Sequence, residues 1–223
     1  MTKGSFLALG TAGAGGLGAG GLMAFKPWQS TPEEKVKVAT SIREKYSAAL
    51  LDSTQDGSIW EKKYTSLKAS TPNNPTLKKA VEKSKAPSES KEEALKLLKE
   101  GCASIYDSKV DDLKSFSDFK TLCSKSNDDA SKASGTWIAD EASANNNNKW
   151  DSSLTKLRDY GQELIPTLSS LKEEIKTHQS STSFSPDIRT KIKDWCTQVR
   201  GELFEGENST QFQNQEAFCK ATG

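Results

Sequence analysis

The chain has 223 residues, 31 Lys and Arg against 30 Asp and Glu, and a formal charge of +1. Only 34% of it is hydrophobic and its mean hydropathy is -0.68, so one or two domains with thin cores are the most it can build. The balanced charge lacks the basic excess of a nucleic-acid binder and the polybasic patch that adsorbs to anionic lipid, and no nucleic-acid partner is expected.

Gly4 to Phe25 carries no charge and is bounded by Lys3 and Lys26. As a helix this stretch would span ~33 Å, enough for a bilayer core. Its apolar residues stand among eight glycines, which makes it a weak hydrophobe. Three readings stay open. The first is an uncleaved signal anchor, with Trp28 at the interface. The second is a cleaved signal peptide, with small residues around Ala12–Ala14 as cleavage positions. The third is a flexible glycine-rich arm. Gly16 and Gly20 form a small-xxx-small face that could pair two such helices into a homo-oligomer. Gly13, Gly15 and Gly18, and again Gly16, Gly18 and Gly21, match GxGxxG. A run this rich in glycine does so by chance, without the strand and βαβ unit the motif needs.

Beyond residue 30 the patterns are helical. Thr31-Pro32-Glu33-Glu34 reads as an N-cap, a proline at the first helical position and first-turn acids, leading into Val38, Ile42, Tyr46 and Ala49 at helical spacing. Pro75 and Pro166 each open a helix, the second carrying Leu168, Leu171 and Ile175 on one face. Ser90 caps Lys91 to Tyr106, with Ala94, Leu98, Cys102 and Ile105 aligned. Ile188, Ile192, Trp195, Val199 and Leu203 repeat that pattern. Asn145 to Asn148 reads as a polar loop before Trp150, and no segment alternates with the period of a strand.

The rare residues recur in order. Tyr46 pairs with Trp137, 91 residues on; Trp60 with Trp150, 90 on; Pro75-Thr76-Leu77 with Pro166-Thr167-Leu168, 91 on. Cys102 pairs with Cys196 at 94, and Phe116 and Cys123 with Phe212 and Cys219 at 96. An internal duplication follows, with an N-terminal segment 1–30, a helical module 31–125 and a second module 126–223. Trp60, Trp150 and Trp195 are expected as core anchors rather than ligand platforms. Pairing Cys102 with Cys123 and Cys196 with Cys219 would tie each module's penultimate helix to its last, outside the reducing cytoplasm. The alternative is four buried thiols in a cytosolic bundle.

The start MTKGSFLALGTAGAGGLGAGGLMAF, a Lys/Ser-rich helical body, Ile192-Lys193-Asp194-Trp195-Cys196 and a late Phe218-Cys219 together resemble the large paralogous sets of proteins from haemotropic mycoplasmas. The resemblance covers the whole chain in layout, through loose motifs. It implies a wall-less bacterium living on red cells, a membrane segment at the N-terminus, surface display and a supposed role in antigenic variation. It brings no catalytic residue.

Chemistry is hard to find. His178 lies in a polar stretch, away from any apolar face. The acid pairs Glu33/Glu34, Asp111/Asp112, Asp128/Asp129 and Glu173/Glu174 are sequence neighbours, which diverge by about 100° on a helix. No P-loop, GxSxG or HExxH occurs. The sequence therefore predicts an all-α protein of two tandem small helical bundles after a Gly-rich apolar helix, with no cofactor, metal or catalytic residue. Its expected place is the cell membrane, with the soluble part extracellular and presented to a host protein or antibody. The alternative is a scaffold that self-associates through its N-terminal helix.

Overall fold

The protein is described by a computed structural model over residues 40–87, 89–131, 135–144, 147–177 and 181–221. It is predominantly helical. The first half holds α1 (Ile42–Lys45), α2 (Gly57–Leu67), α3 (Pro75–Lys83), α4 (Lys91–Tyr106) and α5 (Leu113–Asp118), the last running into a π-helical turn, Phe119–Cys123. The second half holds α6 (Asn127–Ala130), β1 (Thr136–Trp137), α7 (Lys149–Asp159), α8 (Pro166–Lys176), α9 (Pro186–Gly201), α10 (Thr210–Phe218) and β2 (Lys220–Ala221).

Local chemistry sets the helix ends. Pro75 and Pro166 stand in the first turn, where a missing N–H costs nothing. Asn74, Ser90, Asp112, Asn148 and Ser209 each accept a backbone N–H of the helix they precede. Asn148 is thus a buried cap whose amide also donates to the carbonyls of Glu141 and Ala144, not part of a solvated loop.

Two apolar clusters form. The first joins Ile42, Trp60, Leu67, Leu77, Leu98, Ile105, Phe119 and Leu122. The second joins Trp150, Leu154, Leu168, Ile175, Ile192, Trp195, Val199 and Phe218. Both lie within one compact unit. A disulfide closes each cluster: Cys102–Cys123, Cα atoms 5.2 Å apart across 21 residues, and Cys196–Cys219, 5.5 Å apart across 23.

Contacts recur from one half to the other. Ser41 and Ser126 both make reciprocal capping boxes, with Glu44 and Asp129. The next residue donates its N–H to Ser108 O in the first half and to Glu202 O in the second, at 2.9 Å each. Val110 N–H reaches Thr40 O and Phe204 N–H reaches Lys125 O, both at 3.1 Å. Trp60 Nε1 donates to Asp52 O and Trp150 Nε1 to Asp140 O, both at 2.8 Å. A buried side chain on the last helix receives the N–H just before the proline-led helix: Asp118 from Asn74, and Asn214 from Ile165.

Three sequence expectations need correction. The helix expected to run from Thr31 through Ala49 is interrupted, because Ser41 is an extended cap bridged to Lys109; α1 is four residues long and a 3-10 turn, Ser47–Ala49, follows. Residues 31–39 lie outside the described ones. Leu203 does not continue the α9 face: the helix ends at Gly201, and Leu203 packs against the first cluster. Tyr46 does not correspond to Trp137. Trp137 pairs in β1 with Lys220, directly after Cys219, a position that Leu50 takes opposite Ser124, directly after Cys123. Tyr46 instead stacks on Phe116 and Phe119. The two-residue antiparallel sheet β1–β2 is too short for any alternation to announce it.

Candidate functional site

A groove of about 490 Å³ lies between α8 and α9, with Gln211 at the start of α10 at one end. This is within the range of ordinary ligand pockets. Its floor is apolar: Leu168 and Leu171 from α8, Trp195 and Val199 from α9. Its rim is polar and mostly acidic, with Glu174, Asp194 and Glu202 against a single ammonium, Lys191.

Gly101 and Trp195 each precede the first cysteine of a disulfide. On α4, a Cβ at Gly101 would lie 2.6 Å from Leu77 Cδ2, so α3 rests directly on α4 there and leaves no opening. On α9 the indole of Trp195 stands at that place, and the backbones of α8 and α9 do not approach closely. Sequence reasoning identified Trp195 as a core anchor. It is 8% exposed and belongs to the second cluster, and its ring also forms groove floor.

The rim carboxylates are in different states. Lys191 reaches both oxygens of Glu174, at 2.6 and 2.8 Å, and closes one end of the groove. At the other end the Glu202 carboxylate accepts from Gln198 Nε2 at 2.7 Å and Gln211 Nε2 at 3.1 Å, two neutral donors. Asp194, between them, is exposed and has no polar partner among the described residues.

The remaining expected site residues are dispersed. Trp60 and Trp150 are buried, 3% and 2% exposed, far into their own clusters. All four cysteines are bonded and almost fully buried. Gly16, Gly20, Trp28 and His178 lie outside the described residues. Of the acid pairs, Asp112 caps α5, Asp129 completes the capping box of Ser126 and pairs with Lys62, and Glu173 pairs with Lys176. No group of metal-ligating side chains converges among the described residues.

Buried polar groups missed in the sequence are structural. Arg189, 3% exposed, makes two parallel bonds to Asp151 at 2.7 Å each and donates to the carbonyls of Ala142 and Ala144. Tyr106 donates to Cys123 O at 2.8 Å and accepts from Leu51 N–H, and burial pushes its phenol up to about 12. An Arg or Tyr on a helical face gives no sequence signal of such a role, since its partners are distant carbonyls.

The chain matches no protein-family profile, no curated protein and no solved structure.

Proposed function

We propose that this is a membrane-tethered, non-enzymatic interaction protein whose outer part is two copies of one disulfide-closed helical module, similar to the surface proteins of haemotropic mycoplasmas. The observation that carries this reading is the matched pair of disulfides, each tying the penultimate helix of a half to the chain just after its last helix. Such bonds persist in oxidising surroundings and are removed in a reducing cytoplasm. Duplication is supported by the recurring cap, bridge and indole contacts, whose spacing rises steadily from 85 residues at Ser41/Ser126 to 96 at Cys123/Cys219. The tethering part of the reading rests on the uncharged stretch Gly4–Phe25 between Lys3 and Lys26; no helix among the described residues is long and apolar enough to cross a membrane.

The test has two readouts on native cells. Trypsin added to intact cells should remove the helical part. Peptide mapping without reductant should recover Cys102 with Cys123 and Cys196 with Cys219. Protection from trypsin, or recovery of alkylatable thiols, would overturn the surface reading.

A further inference from the structure

We infer that buried polar residues at two places keep each last helix in its own half of the molecule, and so decide which cysteines join. The inference rests on the duplication put forward above and supplies a device that a duplication needs. Two copies of one module offer two similar seats to two similar helices. These are α5 with its π-helical turn, which carries Cys123, and α10, which leads to Cys219. Seated crosswise, within one chain or between two copies, they would join Cys102 to Cys219 and Cys123 to Cys196.

The first place lies four residues before the second cysteine of each half, at Phe119 and Gln215. It belongs with the residue that follows the capping serine, Ile42 in the first half and Asn127 in the second. All four residues are fully buried. Asn127 Nδ2 donates to Gln211 Oε1 at 3.1 Å and Gln215 Nε2 donates to Asn127 O at 3.4 Å, so α10 meets its half through amides. Ile42 has no polar side chain, and its carbonyl already accepts Tyr46 N–H at 2.8 Å. Gln215 seated there would bury an amide without that acceptor, and Phe119 seated against Asn127 would give it nothing in return. The amides serve discrimination rather than stability: Asn127 Oδ1 and Gln215 Oε1 have no donor among the described residues, whereas an isoleucine and a phenylalanine ask for none.

The second place is one residue earlier, at Asp118 and Asn214, both buried. Asp118 accepts from Asn73 N–H at 2.8 Å, Asn74 N–H at 2.7 Å and Asn73 Nδ2 at 3.1 Å, all donors, which suit a carboxylate. Asn214 accepts from Ile165 N–H and donates Nδ2 to Glu163 O, both at 3.0 Å, which requires an amide. Exchanged, Asp118 would set an anion against the Glu163 carbonyl, and Asn214 would set its NH2 against the donors of Asn73. Each mismatch is acceptor to acceptor or donor to donor, away from water.

Oxidative refolding of the full chain tests this. The reduced, urea-unfolded protein is diluted into reduced and oxidised glutathione. One cysteine thiolate attacks the glutathione disulfide and releases a glutathione thiolate, and the second cysteine then displaces the other glutathione. Alkylation traps the remaining thiols, and peptide mapping without reductant reads the pairing. Besides the native and crossed sets there is a third, Cys102 with Cys196 and Cys123 with Cys219, which marks unspecific pairing. The parent should recover its native pairs. Asp118→Asn keeps the buried volume, removes the clash with Glu163 O and should raise the crossed set about threefold. Asp118→Asn/Asn127→Ile/Gln215→Phe makes the halves alike at both places and should raise it at least about tenfold, with the third set unchanged.

Pairing as faithful as the parent's in these variants would overturn the inference. An equal rise of the third set would do the same, since it reports lost folding rather than crossed seating. Where the triple variant does not fold, Asp118→Asn decides alone. Native pairs recovered from cells together with faithful variants would remove this inference and leave the proposed function standing; free thiols on cells would remove that function whatever the variants do.

Discussion

The α3–α4 contact works because there is no Cβ at 101: one placed there meets Leu77 Cδ2 at 2.6 Å and Cγ at 2.9 Å, in a cluster where Leu77 is fully buried. Gly101→Ala would gain about 1 kcal/mol in helix propensity. It would lose about 1–3 kcal/mol through overpacking, and the second effect wins because Leu77 has no free space to move into. A urea melt should place this variant below the parent, by up to about 2 kcal/mol. Gly201→Ala, at the end of α9 with nothing within 4 Å, should be neutral or stabilising in the same assay. Tyr106 gives a second residue-scale prediction. Its hydroxyl serves both Cys123 O and Leu51 N–H, so Tyr106→Phe strands two polar groups and should cost about 1–3 kcal/mol. Burial raises its folded pKa to about 12 from the ordinary 10.0. The stability linked to that proton is therefore complete below pH 10 and is lost as pH climbs towards 12. A melt series across that window should slope downward in the parent and lie flatter in Tyr106→Phe.

Among the elements, the proline-led and serine-capped helices were legible because their signals are local. Pro75, Pro166 and Ser90 act within four residues, and the faces of α4 and α9 follow from a 3.6-residue period. Elements set by distant partners were not legible. Ser41 is an extended cap whose backbone pairs with Lys109, and Leu203 leaves the α9 face to pack on the first cluster. The alignment of Tyr46 with Trp137 failed for the same reason: matching aromatic types ignores which residue stands opposite Ser124 or Lys220. Of the groove, Trp195 could be singled out in advance, but the carboxylates Asp194 and Glu202 could not, since their setting depends on how α8 lies against α9. The disulfides carry the element-scale prediction. Loops of 21 and 23 residues each restrict the unfolded chain by ~3 kcal/mol in the chain-entropy estimate. Cys102→Ala/Cys123→Ala should lose about that much, and the variant lacking both pairs about twice as much. The urea m-value should rise with each bond removed, because the unfolded state expands; an unchanged m-value would locate the effect in the folded state instead.

At the scale of the whole molecule, the two clusters are joined by specific contacts rather than by a free linker. Lys125 and Ser126 sit between them, hydrogen-bonded or bridged to Ala49 on one side and to Leu203 and Phe204 on the other. Leu203 packs on the first cluster from the second half of the chain, and Lys62 on α2 reaches Asp129 on α6 at 2.9 Å. Asp129 is 7% exposed, and burial alone would raise its pKa. Lys62 and the N–H and hydroxyl of Ser126 outweigh that burial and hold the carboxyl below its ordinary 3.8. A depressed folded value means that the linked stability is complete above the unfolded pKa of about 3.9 and disappears as pH falls through the lower folded one. Lys62 is raised above 10.5 chiefly by its bond to Asp129, so its share is complete below that value and lost as pH rises past it. Because Lys62 is largely exposed, the pair contributes no more than about 1 kcal/mol. Its importance is its position, since it couples the two halves. Calorimetry at pH 7 should therefore show one transition with matching calorimetric and van't Hoff enthalpies. Asp129→Asn combined with Leu203→Ala weakens the ion pair and the apolar contact together, and should separate the halves into two transitions that the intact disulfides keep individually sharp. The Asp129→Asn change alone should flatten stability against pH below 4 while leaving the single transition in place.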